Sequence, residues 1–180
     1  MEYMLETKHL RIRKFRSEDV ENVYKNHFDE EVCKWIPDEY YNDFIETKNA
    51  IDFYNDCVNR NIMPFVLAVE LKETSKLIGD IGVNQVEGHP DEIEIAYVIG
   101  KEYRGNGYAT EVVTALSDYF VKVFNLNVIY GRVLHGNIAS RRVLEKTGYI
   151  FVKEEFNALD DPYGNGVFLY IKNNDSFKKR

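Results

Sequence analysis

The stretch Glu94-Ile95-Ala96-Tyr97-Val98-Ile99-Gly100-Lys101-Glu102-Tyr103-Arg104-Gly105-Asn106-Gly107-Tyr108-Ala109-Thr110-Glu111 carries three local signals in succession. Glu94 to Ile99 reads as the end of a strand over Glu92–Ile99. Gly105-Asn106-Gly107 reads as a turn. From about Ala109 to Phe124, Val112, Val113, Leu116, Phe120, Val123 and Phe124 recur with a helical period. A strand that turns through glycines into a helix points several backbone N–H groups at one spot, beside the positive end of the helix dipole. Such a spot suits a phosphate. Without Cβ atoms at Gly105 and Gly107, a pyrophosphate can come close. Two familiar phosphate loops are excluded. Thr110 stands where G-x-G-x-x-G needs its third glycine, and no G-x-x-x-x-G-K-[ST] occurs. What remains is R-x-x-G-x-A, at Arg104, Gly107 and Ala109.

Working outward, Leu10–Phe15 partly alternates and predicts a strand. Ser17 is placed to cap a helix running to about Asn26, with Glu18, Asp19 and Glu21 in its first turn. Residues 29–45 contain Pro37, Asp38, Tyr40 and Tyr41 and read as an irregular loop. Ile45–Val58 suits a second helix, with Ile51, Tyr54 and Val58 on one side. Strands are expected over Phe65–Leu71, Lys76–Val83, Val128–Leu134, Tyr149–Glu155 and Val167–Ile171. Asn137 caps a short helix that ends at Gly148. The expected order is β-α-α-β-β-β-α-β-α-β-β, a mixed α/β fold of about seven strands. Three strands in succession argue against a regular doubly wound sheet.

At 180 residues the chain is expected to form one domain, 1–180, with 173–180 fraying. The net charge of −7 argues against nucleic acid as a partner. Cys33 and Cys57 have neither C-x-x-C spacing nor a His/Cys cluster, which argues against zinc and fits reduced thiols. No signal-like segment opens the sequence, and its longest apolar run, Phe65–Val69, is far too short to span a membrane. A cytoplasmic protein without membrane or metal is expected.

The loop at Arg104–Ala109 resembles the coenzyme A pyrophosphate loop of the GNAT (GCN5-related) N-acetyltransferase superfamily. A second segment, Asn137-Ile138-Ala139-Ser140 through Thr147-Gly148-Tyr149, resembles that family's N-x-x-[AS] helix and its terminal G-[FY]. The resemblance runs from Leu10 to Tyr149. Trp35-Ile36-Pro37 and the serine at 140 make it most similar to the branch of ribosomal-protein N-terminal (alanine/serine) acetyltransferases. It implies a GNAT-like fold with helices on both faces of the sheet and acetyl-CoA as co-substrate. It implies cofactor-binding roles for Val98, Ile99, Arg104, Gly105, Asn106, Gly107, Tyr108, Ala109, Thr110 and Asn137. A homodimer is a mild family expectation.

The family often carries a glutamate on the strand entering the loop, which makes Glu94 the candidate base. Glu92, two residues earlier, lies on the same face. Many relatives also have a tyrosine that protonates the leaving thiolate. That position is Leu144 here, and leucine cannot donate a proton. Ser140, one turn earlier, is the hydroxyl-bearing candidate beside the thiolate.

The implied reaction is attack of a neutral amine on a thioester. Near pH 7 an α-amine loses its proton for roughly 1 kcal/mol, whereas a lysine-like or polyamine nitrogen requires about 4.6 kcal/mol. A base matters more for the second class. By the resemblance, the acceptor pocket draws on 29–45 and 157–166. Trp35, Tyr40 and Tyr41 are its candidates, with Asp38, Glu39, Asp160, Asp161 and Tyr163 nearby. A protein N-terminus, a small amine such as an antibiotic or polyamine, and a non-catalytic acyl-CoA-binding role all stay open.

Overall fold

The computed structural model describes residues 3–86, 89–158 and 161–174. The chain divides into two compact units, Met1–Asn84 with Ala96–Val112, and Gln85–Ile95 with Val113–Arg180. Eight strands occur among the described residues, hydrogen-bonded in the order β1-β2-β3-β4-β5-β6-β8-β7.

The first unit contains β1 (Leu5–Glu6), β2 (Leu10–Arg13), α1 (Val20–His27), α2 (Glu30–Trp35), α3 (Phe44–Arg60), β3 (Phe65–Leu71) and β4 (Lys76–Val86). It also takes in the end of β5 (His89–Ile99) and the start of α4 (Tyr108–Val123). β1, β2, β3 and β4 pair antiparallel in turn. Leu77 to Val83 is buried throughout, so β4 reads as a continuous run rather than an alternating one. A Cβ on Gly79 would stand 2.1 Å from the Val98 carbonyl oxygen, so only glycine lets β4 and the end of β5 lie this close. Asp43 caps α3 by accepting from Glu46 N–H at 2.8 Å. Phe15, Val23, Tyr41, Ile51, Ala68 and Leu77 form one buried cluster.

A buried ion cluster fixes the entry to α1. Arg13 donates through Nε to Glu70 at 2.7 Å and through both Nη atoms to Asp19 at 2.6 and 3.0 Å. Arg11 and Arg16 reach the same Glu70 carboxylate at 3.3 and 3.2 Å. Asp19 also accepts from Arg16 N–H at 2.7 Å. Glu70 is fully enclosed, and only such pairing makes a buried carboxylate tolerable.

The second unit holds the first part of β5, the rest of α4, β6 (Val128–Leu134), α5 (Ile138–Lys146), β7 (Ile150–Glu155) and β8 (Val167–Asn173). β5 and β6 pair parallel, with Glu94 opposite Tyr130, and α4 makes the crossover between them. β6–β8 and β7–β8 pair antiparallel. Leu144 on α5 fills the space above Gly131, where an added Cβ would sit 2.8 Å from a leucine methyl. The Ser117 and Tyr149 hydroxyls bond at 2.9 Å and are both buried.

The architecture is the mixed α/β order the sequence predicts, with local corrections. An eighth strand, β1, is only two residues long, too short for periodicity to reveal. Ser17 is not a helix cap. It opens a 3-10 turn, Ser17–Asp19, and Asp19 supplies the capping carboxylate. Residues 29–45 are not irregular throughout. Asp29, Glu30 and Glu31 at its start and Lys34 in its last turn complement the dipole of α2, and Pro37 follows at a 3-10 turn, Pro37–Glu39. Of the expected frayed tail 173–180, Asn173 pairs in β8 and Asn174 N–H donates to the Asn127 carbonyl at 2.8 Å, while 175–180 lie outside the described residues.

Leu144→Ala should cost about 2–5 kcal/mol, because the cavity beside Gly131 has nothing to fill it. Urea denaturation checks this, and a loss under 1 kcal/mol would mean that α5 packs differently.

Candidate active site

β5 ends against β4, where Gly100 N–H donates to the Ile78 carbonyl at 2.8 Å. A Cβ on Gly100 would stand 2.4 Å from Asn26 Oδ1, so a side chain there would displace Asn26. Val98 and Ile99 are buried. A 3-10 turn, Lys101–Tyr103, leads to Arg104, and Gly105 and Gly107 follow with φ of +80° and +82°. Both have left-handed backbone, which accounts for two glycines spaced by one residue. An added Cβ would meet nothing within 4 Å at either glycine. The turn is open on that side, and α4 begins at Tyr108.

The side chains of the loop turn back on the protein. Asn106 Nδ2 donates to the Tyr103 and Arg104 carbonyls at 3.1 and 3.3 Å. Arg104 donates through Nε to the Ile99 carbonyl at 2.9 Å. Its Nη atoms bond Glu31 at 2.7 Å and Asp29 at 2.8 Å. These side chains are thus engaged by the protein itself. Tyr108, Ala109 and Thr110 form the first turn of α4 and are half-buried. Glu111 anchors that turn by accepting from Thr7 Oγ1 and from His9 N–H at 2.7 Å, with His9 Nδ1 also at 2.7 Å. Burial pushes the Glu111 carboxyl up, but these bonds outweigh it and hold it below the usual range.

The acceptor candidates of the first unit differ from one another. Trp35 ends α2, half-buried, with Lys34 Nζ 4.3 Å from its ring centre. Tyr40 is exposed against Phe28, with ring centres 5.9 Å apart. Tyr41 is a core residue. Its hydroxyl lies 3.3 Å from that of Tyr54, at a pocket also lined by His27, Glu39, Asp80 and Asn84. Burial and then Tyr54 push the Tyr41 hydroxyl upward, and burial pushes Tyr54 up to about 12.

His27 spans this pocket, its Nδ1 2.7 Å from the Glu39 carbonyl and its Nε2 2.9 Å from Asp80 Oδ2. Burial lowers its pKa, but the Asp80 charge and bond, with Glu39, outweigh that and raise it to about 9. The imidazolium is therefore the resting form, donating on both sides. Sequence reasoning missed this pair. A single aspartate within Leu77-Ile78-Gly79-Asp80-Ile81-Gly82-Val83 was the available signal, since a charge in so apolar a strand needs a partner.

In the second unit, Glu94 lies half-buried on β5. Burial, and then the charge and hydrogen bond of its neighbour Glu92, raise the Tyr130 pKa. Asn137 Oδ1 accepts from Ser140 N–H at 3.1 Å, so its side chain caps α5. Ser140 is half-buried in the first turn of α5, and Leu144 is in the core. Asp161 closes the turn before β8 by accepting from Tyr163 N–H at 3.0 Å and Gly166 N–H at 2.6 Å. Asp160 lies outside the described residues. No group of three or more His, Cys, Asp or Glu is placed to hold a metal among the described residues. Among the same residues, no helix is long and apolar enough to cross a membrane.

The family profile of the acetyltransferase (GNAT) domain matches residues 9–150. The chain belongs to the GNAT acetyltransferase family. It is 29% identical over 150 residues to an uncharacterized N-acetyltransferase, p20, of Bacillus licheniformis, covering 81% of each chain. A GNAT-family acetyltransferase from Bacillus anthracis has a similar structure, with a TM-score of 0.77 at 26% identity over 94% of this chain and 97% of that one. Two further structures share the fold. A ribosomal-protein-S5-alanine acetyltransferase from Vibrio fischeri matches with a TM-score of 0.78 at 22% identity, covering 95% and 96%. A spermidine N-acetyltransferase from Vibrio cholerae, in complex with CoA and spermine, matches with a TM-score of 0.78 at 18% identity, covering 96% and 100%. The GNAT chain is thus an N-acetyltransferase by family, and these neighbours act on both protein and small-molecule amines.

The His27–Asp80 pair gives a pH prediction. The folded-state pKa of about 9 exceeds the ordinary imidazole value of 6.5, so the stabilisation is complete below about pH 6.5 and is lost as pH rises through about 9. The loss is on the order of 3 kcal/mol. Thermal melts between pH 6 and 10 should show this decline in the native GNAT chain, and His27→Gln should flatten it. A decline of equal size in the variant would assign it elsewhere.

Proposed function

We propose that the protein works as one cytoplasmic acetyltransferase domain that transfers acetyl from acetyl-CoA to a primary amine in a ternary complex. The observation that carries this reading is the Gly105–Gly107 turn, left-handed at both glycines, open at both Cβ positions and leading directly into α4. These amides fit a pyrophosphate, which needs N–H donors, close approach and a positive helix end. Acetyl-CoA supplies the thioester that the amine attacks.

The chain's own residues supply the rest. Tyr108, Ala109 and Thr110 present their backbone at the start of α4, and Val98 and Ile99 end the strand that leads there. Glu94 takes the proton the amine must lose. Ser140 offers its hydroxyl to the departing sulfur, and Asn137 orders the helix turn that presents it. Trp35 and Tyr40 belong to the acceptor side, and Tyr41 supports them from the core. A protein N-terminal α-amine is the first acceptor class, consistent with the exposed aromatics Phe28, Tyr40 and Phe44, which suit an extended chain. A small polyamine is the second acceptor class. Assembly as a homodimer is part of the proposal by family likeness.

Thiol release from acetyl-CoA, measured with an Ala-Ser-starting peptide and with spermidine, tests the reading, and turnover with either establishes an acetyltransferase. Silence with both and with a wider amine panel, in a protein that binds acetyl-CoA, would leave a binding module. Gly107→Val should weaken acetyl-CoA binding at least about tenfold, since its side chain occupies the space a phosphate needs. Unchanged affinity in a folded variant would move the cofactor elsewhere. Glu94→Gln should lower kcat on the order of a hundredfold with acetyl-CoA affinity retained, and the deficit should shrink as pH approaches the amine pKa. An unaltered kcat would remove Glu94 from the reaction.

A further inference from the structure

Arg104 heads the glycine loop, yet all three of its guanidinium nitrogens are engaged by protein. Nε holds the Ile99 carbonyl at the end of β5, and the Nη atoms hold Asp29 and Glu31 at the start of α2. The two carboxylates are not equivalent. The Glu31 side chain is 70% exposed, so its share is weak. The Asp29 side chain is 15% exposed. Burial pushes that carboxyl up and the Arg104 bond outweighs it, so it is held below the usual range. Asp29 is also the N-cap residue of α2. On the loop side, Asn106 clasps the Arg104 carbonyl. At the far end of the acceptor segment, His27 holds the Glu39 carbonyl. The segment from Asp29 to Glu39, which carries Trp35, is thus tied to the cofactor loop at one end and to β4 at the other.

We infer that Arg104 is a positioning residue that couples the glycine loop to α2, so that acetyl-CoA binding at the loop reorients the segment bearing Trp35. The inference rests on the assignment of the loop to acetyl-CoA. A pyrophosphate arriving at Gly105–Gly107 attracts the Arg104 guanidinium and repels the two carboxylates that hold it. The bridge is therefore the place where cofactor charge acts differently on two arrangements of α2, which is what coupling between sites requires. Arg104 then serves the cofactor through its backbone, while its side chain reports occupancy to the acceptor side.

Trp35 is the sole tryptophan of the chain, so its fluorescence reads α2 alone. The full-length protein is titrated with acetyl-CoA twice, by calorimetry and by tryptophan emission. The wild type should show an emission change with the calorimetric midpoint. Asp29→Asn with Glu31→Gln keeps a residue favoured at the N-cap position and should keep acetyl-CoA affinity within about threefold while its Trp35 change disappears. Arg104→Met should abolish the Trp35 change as well. Equal melting temperatures across the set separate coupling from misfolding. Calorimetric binding with a silent wild-type Trp35, or variants that respond like wild type, would overturn the coupling and leave the cofactor site standing. If the wild type gives no binding heat, the loop assignment fails and the coupling falls with it. Arg104→Met losing affinity while the double variant keeps its Trp35 response would make Arg104 a phosphate ligand instead.

Discussion

Two residues with left-handed backbone, Gly105 and Gly107, decide what the end of β5 can do. Side chains at these positions would meet both conformational strain and any ligand approaching the start of α4. The rest of the first unit prepares this turn. Gly79 lets β4 close on Val98, and Gly100 lets Asn26 approach. Glu111 ties the first turn of α4 to the Thr7–His9 bend. The loop's side chains are drawn inward by Asn106 and Arg104, which leaves backbone amides as the chemistry on offer.

Buried charge is the second organising feature. Arg13, Asp19 and Glu70 fix where α1 begins, and His27 with Asp80 fixes where it ends. Each set is costly to dehydrate and tolerable only when complete, so each specifies one arrangement of α1 against β2, β3 and β4. The consequence for function lies in the intervening chain. The segment from α2 to Tyr41 is short, and it is held at its start by the Asp29–Arg104 pair and near its end by the His27 bond to the Glu39 carbonyl.

What was legible in the sequence followed from periodicity and punctuation. The strand over Val128–Leu134, the Asn137 cap and Gly148 at the end of α5 all announce themselves through spacing and residue type. The glycine loop did so through its neighbours on either side. What stayed hidden depends on partners remote in sequence. Arg13 sits in an alternating strand at a position that alternation assigns to solvent, but Glu70, fifty-seven residues away, holds it inside. His27 is unremarkable until Asp80 is brought to it, and Tyr41 looks like a loop aromatic until it is found 7% exposed in the core. α2 was obscured because Pro37 and the tyrosines after it outweighed the weaker end-charge signals of Asp29, Glu30 and Lys34.

The most direct test of the central claim is amide hydrogen exchange of the full-length protein with and without acetyl-CoA. Occupancy of the glycine loop predicts slowed exchange at the amides of residues 105–110, with NAD producing no such change. Saturating acetyl-CoA that leaves those amides exchanging as before would contradict the account, because the glycine loop would then not be where the pyrophosphate binds.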